Sequence, residues 1–134
     1  MPLSIAARAD RGYHIVAAKG SLTLGPDLKN LQQAVRVALD AGPPDGVILD
    51  VSGLLYTDSA GLGELTIVYS LCAKKHCALV LCSVPNQLKQ MLELTRLDAL
   101  LPSAPDVDAA KRVMKQQTQK QRSSFEAHDA AAGE

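Results

Sequence analysis

The sequence has no tryptophan, one phenylalanine and three tyrosines, so aromatics make up only 3% of its 134 residues. Nucleobase stacking on aromatic platforms is therefore not expected, and the core has to be built from Leu, Val, Ile, Ala and Met. An excess of either charge is also missing, because 14 Lys plus Arg balance 14 Asp plus Glu. That removes the general electrostatic pull toward nucleic acid or an anionic membrane. No apolar run approaches the ~20 residues of a membrane span, the aliphatic runs at 47–49 and 78–82 being short. The opening MPLSIAARADRG carries charges where a secretory signal needs its apolar stretch. A cytoplasmic protein is expected, with no membrane insertion and no direct nucleic-acid contact. The three cysteines, Cys72, Cys77 and Cys82, are odd in number and fit neither a disulfide framework nor a CxxC zinc pair. They read as small apolar core residues.

Hydrophobic residues are abundant, at 47%, and the length suits one domain and not two. Two β-prone runs lie around Gly20 within Tyr13 to Gly25, which predicts two short strands or one bent strand. From Asp27 to Ala41, Leu28, Leu31, Val35 and Leu39 recur at helical spacing, and Gly42-Pro43-Pro44 ends the pattern. Gly46 to Val51 reads as a strand covered on both faces. Ser59 to about Lys75 reads as a helix, with Leu62, Leu65, Val68, Tyr69 and Cys72 at its spacing and Lys74 and Lys75 suiting the helix dipole at its end. Ala78 to Ser83 is the next strand, and Asn86 to Leu94 a short helix. Pro102 and Pro105 limit the ALLPSAP stretch to a brief edge strand. A last helix starts near Asp106 or Val107, and residues 116–134 lack an apolar stripe and read as a flexible tail after a single domain over 1–115. Strands alternating with helices through short links predict an α/β fold with a mixed four- to five-stranded sheet packed with about four helices.

Between the strand VILDVSG and the following helix stands TDSAGLGEL, residues 57–65. Loops after strand carboxyl ends are the usual functional edge of such sheets, so the chemistry of this loop matters. A dinucleotide turn would need a third glycine where Thr66 stands and an acid where Ser83 ends the next strand. A nucleophile elbow would need a glycine at Thr57 and a histidine nearby. His76 lies about 25 Å away at the far end of the same helix, and His128 falls in the tail. A phosphoacceptor role for Asp50 would need an acid pair after the first strand and a lysine after the last, and both are lacking. Catalysis and metal or cofactor binding are thus not expected. Asp58 or Ser59 suits a helix N-cap, yet Gly61 and Gly63 in the first turns each cost about 1 kcal/mol relative to alanine. Either the turn packs tightly against the sheet, or another protein's backbone has to approach the serine hydroxyl.

DSAGLGEL after VILDVSGLLY resembles the signature of the STAS domain, the fold of bacterial anti-sigma factor antagonists. GSLTLG is similar to that family's first-strand segment, and VPNQLKQMLELTRLDALLP to its third helix and final strand, so the likeness spans roughly residues 5 to 113. The resemblance implies a non-enzymatic binding protein without a cofactor, in which Ser59 is phosphorylated by a partner that is both anti-sigma factor and serine kinase with an ATP-binding fold. A serine phosphatase reverses the reaction. The unphosphorylated form binds the anti-sigma factor and frees the sigma factor for transcription. Carried over by position, the partner-binding residues are Ser21, Thr23, Asp58, Ser59, Ala60, Gly61, Leu62 and Gly63, with Thr57 the second candidate acceptor. Ser21 and Thr23 stand where many members have acids, and Ala60 replaces a frequent second hydroxyl. Those departures bear on which partner is bound. Related domains without a kinase circuit serve in chemotaxis-like signalling, stress-signalling assemblies and lipid-transport complexes, so a scaffold or regulatory subunit is the alternative.

Overall fold

A computed structural model describes residues 1–42 and 44–117. Strands β1 (Ser4–Asp10) and β2 (Tyr13–Leu22) form an antiparallel hairpin, with Asp10 opposite Tyr13 and Ser4 opposite Lys19. Its two-residue turn needs positive φ at both positions, and Arg11 at 52° and Gly12 at 90° supply them. Of the two alternatives expected around Gly20, β2 is the single bent strand. Gly20 lies inside β2 at φ 94°, where the pairing with the next strand shifts register between Ala17 and Lys19 and again between Gly20 and Ser21. It is glycine because a Cβ there would collide with the Pro2 carbonyl. The glycine therefore marks a bulge, not a turn.

Helix α1 (Asn30–Asp40) starts later than its apolar periodicity predicts. Residues 25–29 are instead taken up by turns in which Leu28 N–H donates to the Gly25 carbonyl and Asn30 N–H, at the helix start, to the Asp27 carbonyl. Strand β3 (Gly46–Thr57) is followed by helix α2 (Ser59–Lys74), strand β4 (Leu79–Cys82), helix α3 (Asn86–Leu94), a single 3-10 turn at Leu97–Ala99 and the brief strand β5 (Ser103–Ala104). A last helix, α4, runs over 107–117. The expected tail falls, from residue 118 onward, outside the described residues.

The five strands lie side by side in chain order, β1 antiparallel to β2 and the remainder parallel. When each crossover advances one strand in the same direction, a common handedness puts the connecting helices on one face. Accordingly Val16, Val47, Leu49, Val51, Leu79 and Leu81 of the sheet share a core with Leu31 and Val35 of α1, Leu65 and Val68 of α2, and Leu88 and Leu92 of α3. The alternate residues Ile15, Ile48, Val80 and Cys82 point to the other face, where Ala110 and Met114 of α4 cover them together with Tyr13. This is why VILDV reads as near-continuous aliphatics. Helix α4 is held at its flank by Lys111, whose Nζ donates to Asp10 Oδ2 at 2.8 Å and lies 5.6 Å from the Tyr13 ring centre. That hydrogen bond holds the Asp10 carboxyl below its ordinary value, against its partial desolvation.

Strand β3 is longer than the aliphatic run predicted. It pairs with β2 as far as Leu22 opposite Thr57, whereas β4 accompanies it only from Val47 to Asp50. The polar and glycine positions Ser52 and Gly53 hid this extension from periodicity. It carries the loop that follows it past the last residue paired with β4. No helix among the described residues is long and apolar enough to cross a membrane.

Candidate functional site

Where β3 ends, Asp58 turns the chain into α2. Its backbone is extended, at φ −98° and ψ −174°, and its Oδ1 accepts from Gly61 N–H at 2.8 Å. This is N-cap geometry, which satisfies one of the free donors of a helix start. The second oxygen, Oδ2, accepts from Leu24 N–H at 3.0 Å, so one carboxylate joins α2 to the segment after β2. Asp58 N–H also donates to the Leu22 carbonyl at 3.3 Å. The Gly61 and Leu24 N–H groups hold the Asp58 carboxyl below its ordinary value despite desolvation. A charge engaged in this way organises the loop.

Ser59 is the first residue of α2 and is exposed. Its neighbours divide into two groups. Gly61 and Leu62 are buried, and a Cβ on Gly61 would collide with the Leu22 carbonyl and lie 2.9 Å from Thr57 Cγ2. Both are expected in a partner-binding surface; in the free chain both pack the helix start onto the sheet, and only glycine fits at 61. Gly63 is the opposite case. It is exposed, and a Cβ there would meet nothing within 4 Å. The sequence left tight packing and open approach undivided, and each glycine embodies one of them.

Ser21 and Thr23 are half-buried at the end of β2, where Ser21 pairs with Tyr56 beside the loop. They share this edge of the sheet with the exposed Ser59 and the half-buried Asp58 and Ala60. Thr57 does not present a hydroxyl. Its side chain is wholly buried, and its Oγ1 has no hydrogen-bond partner among the described residues.

Three residues at the site carry no signal in the pattern of the sequence. Gln87 of α3 grips the Thr57 backbone, its Oε1 accepting from Thr57 N–H at 3.0 Å and its Nε2 donating to the Thr57 carbonyl at 2.8 Å. It thus takes the place of a neighbouring strand. Leu24 is 80% exposed although its N–H is latched to Asp58, which leaves an apolar side chain standing beside the serine loop. Glu64, a charged residue in the second turn of α2, is buried and accepts from Gln32 Nε2 of α1 at 3.3 Å. With Glu64 turned inward, the outward positions of α2 from Ser59 to Ala73, namely Ser59, Gly63, Ile67, Ser70 and Ala73, carry no charge. Among the described residues, no group of three or more His, Cys, Asp and Glu side chains is placed to hold a metal ion.

The sequence model of a family described as "Mlab, STAS domain" matches residues 5–102. In fold, the chain is similar to an anti-sigma factor antagonist from Mycobacterium paratuberculosis, with a TM-score of 0.73 at 20% identity over 85% of this chain and 95% of that one. It is also similar to a sulfate transporter family protein from Wolinella succinogenes, with a TM-score of 0.65 at 19% identity, covering 84% and 92%. A third likeness is to the Bacillus cell fate determinant SpoIIAA in its phosphorylated form, with a TM-score of 0.63 at 15% identity, covering 82% and 99%. The extent of the sequence match, together with the five-stranded mixed sheet and the capped helix after β3, makes this chain a member of the STAS domain family.

Proposed function

We propose that the protein is an anti-sigma factor antagonist whose binding is switched by phosphorylation of Ser59. The observation that carries this reading is the exposed serine at the first position of α2, beside a carboxylate already spent on capping. Burial of the Thr57 side chain favours Ser59 over it as the acceptor. A phosphate on Ser59 adds about −1.5 to −2 charge at neutral pH. The amino end of a helix tolerates that charge, so the domain keeps its fold and the effect falls on the surface. An uncharged, open helix face then becomes strongly anionic, and a partner shaped for the former no longer fits. The partner is an anti-sigma factor that is also a serine kinase, and a serine phosphatase resets the switch.

The test is incubation with an ATP-binding serine kinase encoded beside this protein, with ATP supplied, followed by mass spectrometric localisation of phosphate. Phosphate at Ser59 is expected. Ser59→Ala is expected to retain partner binding and Ser59→Glu to weaken it at least tenfold, both melting within a few degrees of the wild type. Equal binding by the two variants would sink the switch.

A second reading keeps the edge and drops the phosphate: a constitutive regulatory subunit or scaffold in a transport or signalling complex. It is favoured by the apolar Leu24 beside the loop and by Ser21 and Thr23, where acids would suit a kinase-type partner. Stable binding unaffected by Ser59→Glu, with no phosphate acquired, is its expected signature.

A further inference from the structure

The carboxyl end of α2 brings two cysteines together. The chain leaves the helix through His76 in the left-handed region, at φ 53°. Cys77 N–H donates to the Cys72 carbonyl at 2.9 Å, and His76 N–H to the Ala73 carbonyl at 3.1 Å. These nested bonds form a Schellman closure, in which a side chain from the last helical turn commonly meets the one just beyond the end. Both of those side chains are thiols here. Cys72 is buried in the core beneath α1, α2 and α3, and Cys77 is half-buried against the same core. The Cys77 thiol faces the Pro44 and Ala78 carbonyls at 3.8 and 3.6 Å. Cys82 belongs to the core on the opposite face, with the sheet between.

We propose that Cys72 and Cys77 form a reversible disulfide built into the last turn of α2, made by exchange with a small-molecule disulfide. The steps follow from exposure. Cys77 loses its proton, and its thiolate attacks one sulfur of the small disulfide. That S–S bond breaks, one small thiolate leaves, and a mixed disulfide remains on Cys77. Cys72 then gives up its proton and attacks the Cys77 sulfur, expelling the second small thiolate. The two released protons end on the two small thiols, so one disulfide is reduced as one is formed. The adjacent Cys72 thiol holds Cys77 below its ordinary value against burial, whereas the Cys77 thiol, followed by burial, pushes Cys72 up. Disulfide geometry requires Cα atoms within roughly 4.4–6.8 Å, and the 2.9 Å bond from Cys77 N–H to the Cys72 carbonyl keeps the two residues close along the backbone. The proposal does not depend on the role of Ser59.

The experiment treats the full chain with oxidised glutathione, blocks remaining thiols with iodoacetamide and digests with trypsin without reduction. Trypsin cuts after Lys74 and Lys75, between the two cysteines, so the bond joins two peptides. The joined pair is expected from wild type and from Cys82→Ser, on protein that forms no covalent dimer on a non-reducing gel, and it is expected to disappear with dithiothreitol. Cys77→Ser, confirmed as folded by circular dichroism, is expected to give none. It is chosen over Cys72→Ser because its position is less buried. A glutathione adduct that persists on Cys77, a bond to Cys82, a bond between chains or unreacted thiols throughout would each overturn the proposal.

Discussion

Gly61 and Gly63 stand two residues apart and do opposite work. Gly61→Ala drives a methyl group into the Leu22 carbonyl and is expected to destabilise the fold by about 1–3 kcal/mol. Gly63→Ala meets open space and is expected to stabilise the helix by up to about 1 kcal/mol while weakening partner binding. Urea midpoints check the first half of this contrast, and a binding titration the second. Asp58 makes a further test. Asp58→Ala removes the cap and the Leu24 latch together, at a cost of about 1–2 kcal/mol in urea denaturation. Because the Gly61 and Leu24 N–H groups lower the folded Asp58 value below the ordinary 3.8, its contribution is complete above that ordinary value. It is lost as pH falls through the lower folded one. Asp58→Asn is therefore expected to flatten the stability profile on the acid side of pH 4, measured by thermal melts across pH. The cap could be read from sequence because it joins residues three apart. The reason for Gly61 could not, because the Leu22 carbonyl it avoids belongs to β2, far from it along the chain.

At the scale of elements, helices and central strands announced themselves where one face alternates with another at a fixed period. The boundaries that failed are those set by contacts between elements. The β1–β2 hairpin turns at Arg11 and Gly12, whereas Gly20, the stronger break signal, accommodates the Pro2 carbonyl within a strand. α1 loses its first predicted turn to the local bonds of residues 25–30. Gln87 shows most plainly what periodicity cannot supply, because a polar residue on a helix becomes the hydrogen-bonding neighbour of a strand. Gln87→Ala strands the N–H and C=O of Thr57, and a cost of about 1–3 kcal/mol is expected if those groups stay buried. Hydrogen exchange at the Thr57 amide is expected to accelerate in this variant while the α3 amides remain protected. Loss of protection throughout α3 would mean that Gln87 supports the helix itself.

Across the whole molecule, one sheet separates two apolar cores. The order of elements implied the sheet, but apolar spacing in α4 could not tell which face that helix covers. Ala110 and Met114 settle it by packing on Ile15, Ile48, Val80 and Cys82, and the ion pair of Lys111 with Asp10, 101 residues apart along the chain, pins it there. Since Ile48 and Leu49 are successive residues of β3 that enter different cores, neither core can open without disturbing the other. Urea unfolding is therefore expected to be a single transition, coincident by far-ultraviolet circular dichroism and by the fluorescence of Tyr13, Tyr56 and Tyr69. Separate midpoints would show that α4 and its core come away first. The unequal lengths of β3 and β4 have a mechanical counterpart. From Val51 to Thr57, β3 has a strand neighbour on the β2 side alone. The segment is a cantilever, rooted between two helical layers, stiffened along one edge and propped at its tip by Gln87. A force applied by anything that docks at Ser59 travels down this beam to its root in the middle of the sheet. The serine loop is thus a short lever on the rigid interior.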